Sequence, residues 1–297
     1  MPELPDVTIY VEALEQRLLR QPLAGYAILS PFILRTVDPP LDALMGRRVV
    51  AIQRLGKRIV IELEDELFIV IHLMIAGRFR WFVATERRKL PARLALAEFQ
   101  FAVGTLVLTE AGTTRRAALH VVRGREALRQ FDRGGLEVLD ATRDQFAERL
   151  ARENHTLKRS LTDPSLFSGI GNAYSDEILH RARLSPLKLT ARLSDEEIAR
   201  LFDATRDTLV DWTARMRAER GDRFPEKVTA FREGMAVHGR YKQPCPVCAT
   251  PIQRIRYKAN ETNYCARCQT EGRLLADRGL SRLLKQDWPK TLEELDG

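Results

Sequence analysis

Cys245-Pro246-Val247-Cys248 and, sixteen residues further on, Cys265-Ala266-Arg267-Cys268 form the stretch that decides the C-terminal fold. Two tight turns at this spacing each present two thiolates to one tetrahedral ion, the pattern of a four-cysteine structural zinc site. Four protein ligands fill the coordination sphere and leave no position for water, so the metal is expected to hold the fold and take no part in a reaction. Between the pairs, Ile252-Gln253-Arg254-Ile255-Arg256-Tyr257 alternates as a strand does, which predicts a zinc-pinned β-hairpin ribbon. Residues 240–273 carry Arg240, Lys242, Arg254, Arg256, Lys258, Arg267 and Arg273 against Glu261 and Glu271. A small basic hairpin suits contact with phosphates or insertion into a groove.

The chain has four cysteines, all in this stretch, which leaves none for disulfides elsewhere and suits a reducing compartment. Its 297 residues, 44% hydrophobic and 30% charged, bound a globular protein of about two domains. A net charge of +8 favours a polyanionic partner; the plainer reading is a solvated basic surface. The longest apolar run, Leu67 to Ile75, is interrupted by His72 and falls far short of the ~20 residues that span a bilayer. Acidic Glu3 and Asp6 are unlike the basic start of a signal peptide, so a cytoplasmic location without a membrane partner is expected.

Upstream of the ribbon the periodicity changes twice. Val7, Tyr10, Val11, Leu14 and Leu18 recur at helical spacing and predict a helix over 5–20 that packs on a sheet. From 47 to 122 short β-rich runs follow (49–52, 59–63, 67–71, 79–83, 99–103 and 106–108), separated by turn signals such as Glu64-Asp65-Glu66 and Gly104, which suggests a sandwich or barrel. The basic stretch 86–93 reads as a loop that either touches phosphates or is solvated. After Gly134-Gly135 the period becomes helical, with Phe146, Leu150, Leu157, Ile178 and Leu179, then a long helix from Asp195 to about Arg217 capped by Ser194 and Glu197. Residues 220–235 read as a loop or short helix.

Two further motifs carry chemistry. Trimming Met1 from Met1-Pro2-Glu3 would leave a secondary amine beside a carboxylic acid, able to attack a carbonyl-type carbon and form an iminium Schiff base. At an ordinary pKa near 8, roughly a tenth of such an amine is neutral at pH 7. Many chains begin Met-Pro without any such role, so the dipeptide needs its context. In Ser168-Gly169-Ile170-Gly171-Asn172-Ala173-Tyr174 the glycines permit a tight turn whose N–H groups can face a phosphate, with Asn172 as a side-chain donor and Lys158 as a cation; an ordinary interhelical turn and a surface lysine are the alternative.

Taken in order, Met1-Pro2-Glu3-Leu4-Pro5-Asp6-Val7, Gly56-Lys57, His72-Leu73 before Gly77-Arg78, Gly169 to Tyr174, and His238-Gly239-Arg240 before the cysteines resemble the formamidopyrimidine-DNA glycosylase and endonuclease VIII family over residues 1 to about 269. The resemblance implies a multidomain α+β chain: an N-terminal catalytic β-sandwich with an N-terminal helix (1–133), a helix-two-turns-helix DNA-binding domain (134–237), a zinc finger (238–270) and a C-terminal extension (271–297). It implies a monomeric bifunctional DNA glycosylase and AP lyase of base excision repair, with one structural zinc on Cys245, Cys248, Cys265 and Cys268. Its partner would be damaged DNA, double-stranded or with abasic or open sites. Pro2 would be the nucleophile that forms the Schiff base, Glu3 would protonate the sugar ring oxygen, and Lys57 would approach a phosphate near the lesion. Asn172 with Lys158 would be the phosphate clamp.

The chain departs from the family where the lesion is read. Ile75 stands where the family's wedge methionine is expected, with Met74 one place earlier; Arg115 matches the wedge arginine, but Ala117 replaces the wedge aromatic and cannot stack on an orphaned base. The finger arginine that grips phosphates aligns with Asn260, for which Lys258 or Arg256 would substitute. Leu280, Leu283 and Leu284 suggest an extra helix. These changes imply a substrate range shifted from oxidised purines. The alternative is a damaged- or branched-DNA binding protein without catalysis.

Overall fold

The computed structural model describes residues 1–85, 90–112, 114–226, 228, 231–257, 260–276 and 289–296. The chain divides into two compact units, Met1–Arg133 with Trp212–Ala230, and Gly134–Asp211 with Phe231–Gly297.

The first unit is a helix and a sandwich of two antiparallel four-stranded sheets. Helix α1 (Leu4–Leu18) buries Val7, Tyr10, Leu14 and Leu18, the stripe that its apolar spacing predicts. On its polar side the Arg217 guanidinium grips the Glu12 carboxylate at 2.6 and 3.1 Å, and Arg220 reaches Gln16 at 3.1 Å. One sheet has the order β2 (Val49–Leu55), β3 (Arg58–Leu63), β4 (Leu67–His72), β8 (Ala118–Arg123); the other runs β1 (Gly25–Ile28), β6 (Ala95–Phe101), β7 (Gly104–Glu110), β5 (Gly77–Val83). Ile59, Ile61, Ile69, Ile71, Leu119 and Val121 face the main core, where they meet Phe79, Phe99, Leu106 and Leu108. The alternate residues Val60, Phe68, Val70 and Val122 form a second cluster with Leu128 of helix α2 (Arg125–Arg129). Burial on both faces explains the unbroken apolar run at Leu67–Ile71, since neither face of that strand meets water. A register shift between Ala95 and Ala97 turns both Leu96 and Ala97 inward.

Strands β1 and β8 were not expected from the sequence. The first is four residues long and half-buried throughout, and the second interrupts its apolar positions with His120. Residues 86–89 of the basic stretch lie outside the described residues.

The second unit holds helices α3 (Arg143–Ala151), α4 (Leu157–Thr162), α5 (Asn172–Arg181) and most of α6 (Asp195–Arg220). Phe146 packs at tilted ring angles against Phe167 and Phe202, at 4.8 and 5.5 Å between ring centres, in the helical core. Ser194 and Glu197 make the expected reciprocal cap of α6, with N–H donations of 3.0 and 3.3 Å. The ribbon is a hairpin of β9 (Gln253–Tyr257) and β10 (Asn260–Tyr264), followed by helix α7 (Ala266–Thr270). Beyond it, Leu274 donates to Lys290 O, and Leu292 to Gly272 O. The expected helix at Leu280, Leu283 and Leu284 lies outside the described residues. Among the described residues no helix is long and apolar enough to cross a membrane.

Candidate functional site

In the first unit the start of α1 fixes the N-terminus. Glu3 caps the helix, its N–H donating to the Asp6 carboxylate at 2.9 Å, and the Glu3 side chain is almost wholly buried. Pro2 is buried beside it. The terminal amine, on Met1 in this structure, is held below its ordinary value of about 8. Burial is the largest cause, Arg78 and Lys57 add to it, and Glu3 and Asp6 oppose it. Trimming Met1 would move the amine to the Pro2 ring nitrogen, about 3.8 Å along the chain. The charges of Glu3, Asp6, Lys57 and Arg78 therefore all act on the chain terminus.

Each cation is placed by local backbone chemistry. Lys57 occupies the second position of the two-residue turn between β2 and β3, where Gly56 supplies the positive φ of +61° that a tight hairpin needs at its first position. Arg78, the second residue of β5, donates to the carbonyls of Gly77 at 2.6 Å and Ile75 at 3.1 Å. Those contacts hold the Arg78 guanidinium against the 73–77 turn, from where its charge acts on the amine. Within the turn Gly77 donates to Leu73 O at 2.9 Å, and a side chain at Gly77 would put its Cβ 2.3 Å from that oxygen, so glycine is required there. Ile75 projects from the tip with 60% of its surface exposed.

His72, which the sequence singled out only as a motif letter, has a structural task here. Burial first, then Arg58, Lys57, His120 and the terminal amine, push its pKa down to about 4, so the ring is neutral and its Nδ1 accepts the Met74 N–H at 3.0 Å. That bond supports Met74 in its left-handed conformation, at φ +51°. Glu110 is a second residue that the sequence did not mark. Buried at the end of β7, its carboxylate accepts the N–H groups of Arg116 (3.0 and 2.9 Å) and Ala117 (3.1 Å). Ala117 thereby turns into the sandwich core and Arg115 is left exposed, donating to Arg93 O.

In the second unit Lys158 and Asn172 do come together: the Lys158 ammonium donates to Asn172 O at 2.7 Å. It also pairs with the buried Asp176 carboxylate, and the Asn172 amide donates to Glu261 O in β10 at 2.9 Å. The donors expected to clamp a phosphate are thus engaged with protein, and they bind α4, α5 and the ribbon to one another. Asp176 also takes His238 Nδ1 at 2.8 Å and the Asn263 N–H at 3.1 Å. Next to it, Glu177 accepts the N–H groups of Ala236, Val237 and His238 at 2.7–2.9 Å. The sequence reading missed both acids; their signal was a charged pair enclosed by Tyr174, Ile178 and Leu179 on a helix that is buried on several sides. Asn260 lies at the start of β10, opposite Tyr257 in the register, while Lys258 falls outside the described residues.

The four cysteine sulfurs lie within 4.8 Å of one another, with Sγ–Sγ separations of 3.9 Å (Cys245–Cys268), 3.4 Å (Cys248–Cys265) and 3.5 Å (Cys248–Cys268). A tetrahedron of metal–sulfur bonds of about 2.3 Å has edges of about 3.8 Å, so the donors fit one thiolate-bound ion. Val247 and Cys268 direct N–H groups at Cys245 Sγ and Cys265 Sγ at 3.5 Å, which supports thiolate charge in each turn.

Three family models match the chain in sequence order: the formamidopyrimidine-DNA glycosylase N-terminal domain over residues 1–119, the H2TH domain of the same glycosylase over 136–216, and a zinc finger found in FPG and IleRS over 242–270. The formamidopyrimidine-DNA glycosylase of Heliobacterium modesticaldum is 32% identical across 91% of this chain and 100% of its own length. An uncharacterized formamidopyrimidine-DNA glycosylase-like protein of Mycobacterium tuberculosis is 38% identical over 51% of this chain and 94% of its own length. Among solved structures, Lactococcus lactis Fpg in complex with DNA containing an abasic site shares the fold, with a TM-score of 0.77 and 24% identity over 90% of this chain and 99% of that one. The chain therefore belongs to the formamidopyrimidine-DNA glycosylase family.

Proposed function

We propose that the chain is a DNA glycosylase and AP lyase that acts through the Pro2 amine. The observation that carries this reading is the buried chain terminus beside buried Glu3, where burial, Arg78 and Lys57 lower the amine's pKa against the opposing charge of Glu3. A lowered pKa leaves more of the amine neutral at pH 7 and so favours attack on C1′ of a flipped nucleotide. Base departure would leave an imine, and elimination from it would break the strand. Glu3 would protonate the sugar ring oxygen, and Lys57 would hold a phosphate beside the lesion. Exposed Ile75 and Arg115 are the proposed contacts that fill the vacated stack. Lys158 and Asn172 are proposed to shape the phosphate-binding turn of the second unit, and Asn260 and Lys258 to contact DNA from the finger. With Ala117 in the core, no aromatic from that loop presses on the orphaned base, which supports a substrate range shifted from oxidised purines. The test is borohydride trapping on a duplex with an abasic site. The native chain gives a covalent protein–DNA product; absence of product with DNA affinity intact would leave the non-catalytic binding reading.

The same trapping reaction has a predictable pH profile. Lys57 is one of the cations that favour the neutral amine, so Lys57→Met raises the amine pKa and moves the acid limb of the trapping rate to higher pH. Glu3 opposes that effect, so Glu3→Gln moves the limb to lower pH. An unmoved limb in Lys57→Met would rule out electrostatic coupling between the two sites.

The four-cysteine site is proposed to hold zinc. Its removal by a chelator is expected to unfold the β9–β10 ribbon, because the small buried cluster beneath it is built from Val237, Ile252 and the cysteines themselves. DNA affinity should fall with it, and unchanged affinity in the metal-free chain would refute a role for the ribbon in binding.

A further inference from the structure

Helix α5 presents three buried polar side chains to the ribbon. Asp176 and Glu177 take N–H donors from residues 236–238 and 263, and one turn later His180 points its Nε2 at Cys245 Sγ, 3.3 Å away. A histidine at 6% exposure carries a desolvation cost unless its ring nitrogens are matched. A metal-bound thiolate can only accept, and a ring nitrogen that bears hydrogen can only donate, so the contact has one consistent polarity.

We infer that His180 is a positioning residue for the metal site, its Nε2–H holding the Cys245 thiolate in place and drawing charge from the sulfur. This rests on the zinc reading above. Cys245 would then receive two donors, from His180 and the Val247 N–H, and the first of these ties it to helix α5. Two consequences follow. The ligand is oriented before metal arrives, which raises affinity, and the sulfur lone pair is less available to electrophiles. With N-ethylmaleimide, for example, the sulfur forms a new S–C bond, the maleimide double bond becomes single as the adjacent carbon takes a proton from water, and the bond to zinc gives way.

Zinc content of the purified chain is measured first; a chain that binds no zinc overturns the zinc reading itself. In the zinc-bound native protein, nitrogen NMR of the imidazoles should show His180 with its proton on Nε2. A proton on Nδ1 alone overturns the proposal without any substitution. His180→Phe keeps a ring and removes the donor, and should lower zinc affinity in chelator competition roughly tenfold, the scale of lost outer-sphere partners. It should also speed zinc release by N-ethylmaleimide. His180→Gln, whose amide nitrogen reaches nearly the same point, should restore both. Native affinity and release rate in the Phe variant, or failure of Gln to restore them, count against the hydrogen bond as the cause.

Discussion

A chain that keeps Met1, for instance behind an N-terminal extension, is expected to lose borohydride-trapped product by roughly 10³-fold or more, the scale seen when an enzyme's nucleophile is removed. With Met1 in place the Pro2 nitrogen is an amide, its lone pair delocalised into the carbonyl, and it cannot add to an aldehyde carbon. The Met1 amine is itself partly buried and reactive in type, but it sits one residue, about 3.8 Å, from the position at which Glu3 is registered by the helix cap. Pro2→Gly supplies a primary amine of greater freedom at the right position and should retain part of the trapping. Glu3→Gln should slow release of a damaged base by about 10²–10⁴, the usual contribution of a positioned acid. Mass spectrometry of the N-terminus fixes which species is being assayed. A chain shown to retain Met1 that traps at the native rate would exclude Pro2 as the nucleophile.

The fold of both units was legible because its signals are local. Helix α1, the inner strands β3 and β4 and the cap of α6 follow from apolar spacing and from Ser194 with Glu197, each within a few residues. The four-cysteine cluster was equally legible, since metal-ligand spacing is encoded in the chain itself. The candidate site was legible only as residue types. That Ala117 is drawn inward depends on Glu110 several residues earlier, and nothing in the residues around Ala117 announces it. The same holds for Lys158. Its type suggests a phosphate ligand, yet its ammonium is spent on a buried carboxylate that no periodicity could assign to it. Long-range polar pairing inside a core leaves no periodic trace, and this is where the sequence reading of the second unit stopped.

That pairing has the largest expected effect on stability. Asp176 has no exposed side-chain surface, and its carboxylate joins Lys158 of α4, His238 ahead of the finger and Asn263 of β10. Asp176→Ala would leave the Lys158 ammonium, itself only 12% exposed, beside an apolar methyl and would take the acceptor from three further donors on His238 and Asn263. Removing one partner of a buried pair costs about 3–5 kcal/mol, because the charge that remains is uncompensated. Hydrogen exchange of the α5 amides should therefore accelerate markedly, and the ribbon, which hangs on the same carboxylate through Asn263, should loosen with it. Adding Lys158→Met to Asp176→Ala removes the stranded charge and should recover part of the loss, a coupling on the order of 0.5–3 kcal/mol. If the double variant is as unstable as the sum of the two singles, the ion pair is not what binds these elements. The hydrogen bonds to His238 and Asn263 would then have to carry the whole effect, and Asp176→Asn, which keeps an oxygen to accept them, would be nearly as stable as the native chain.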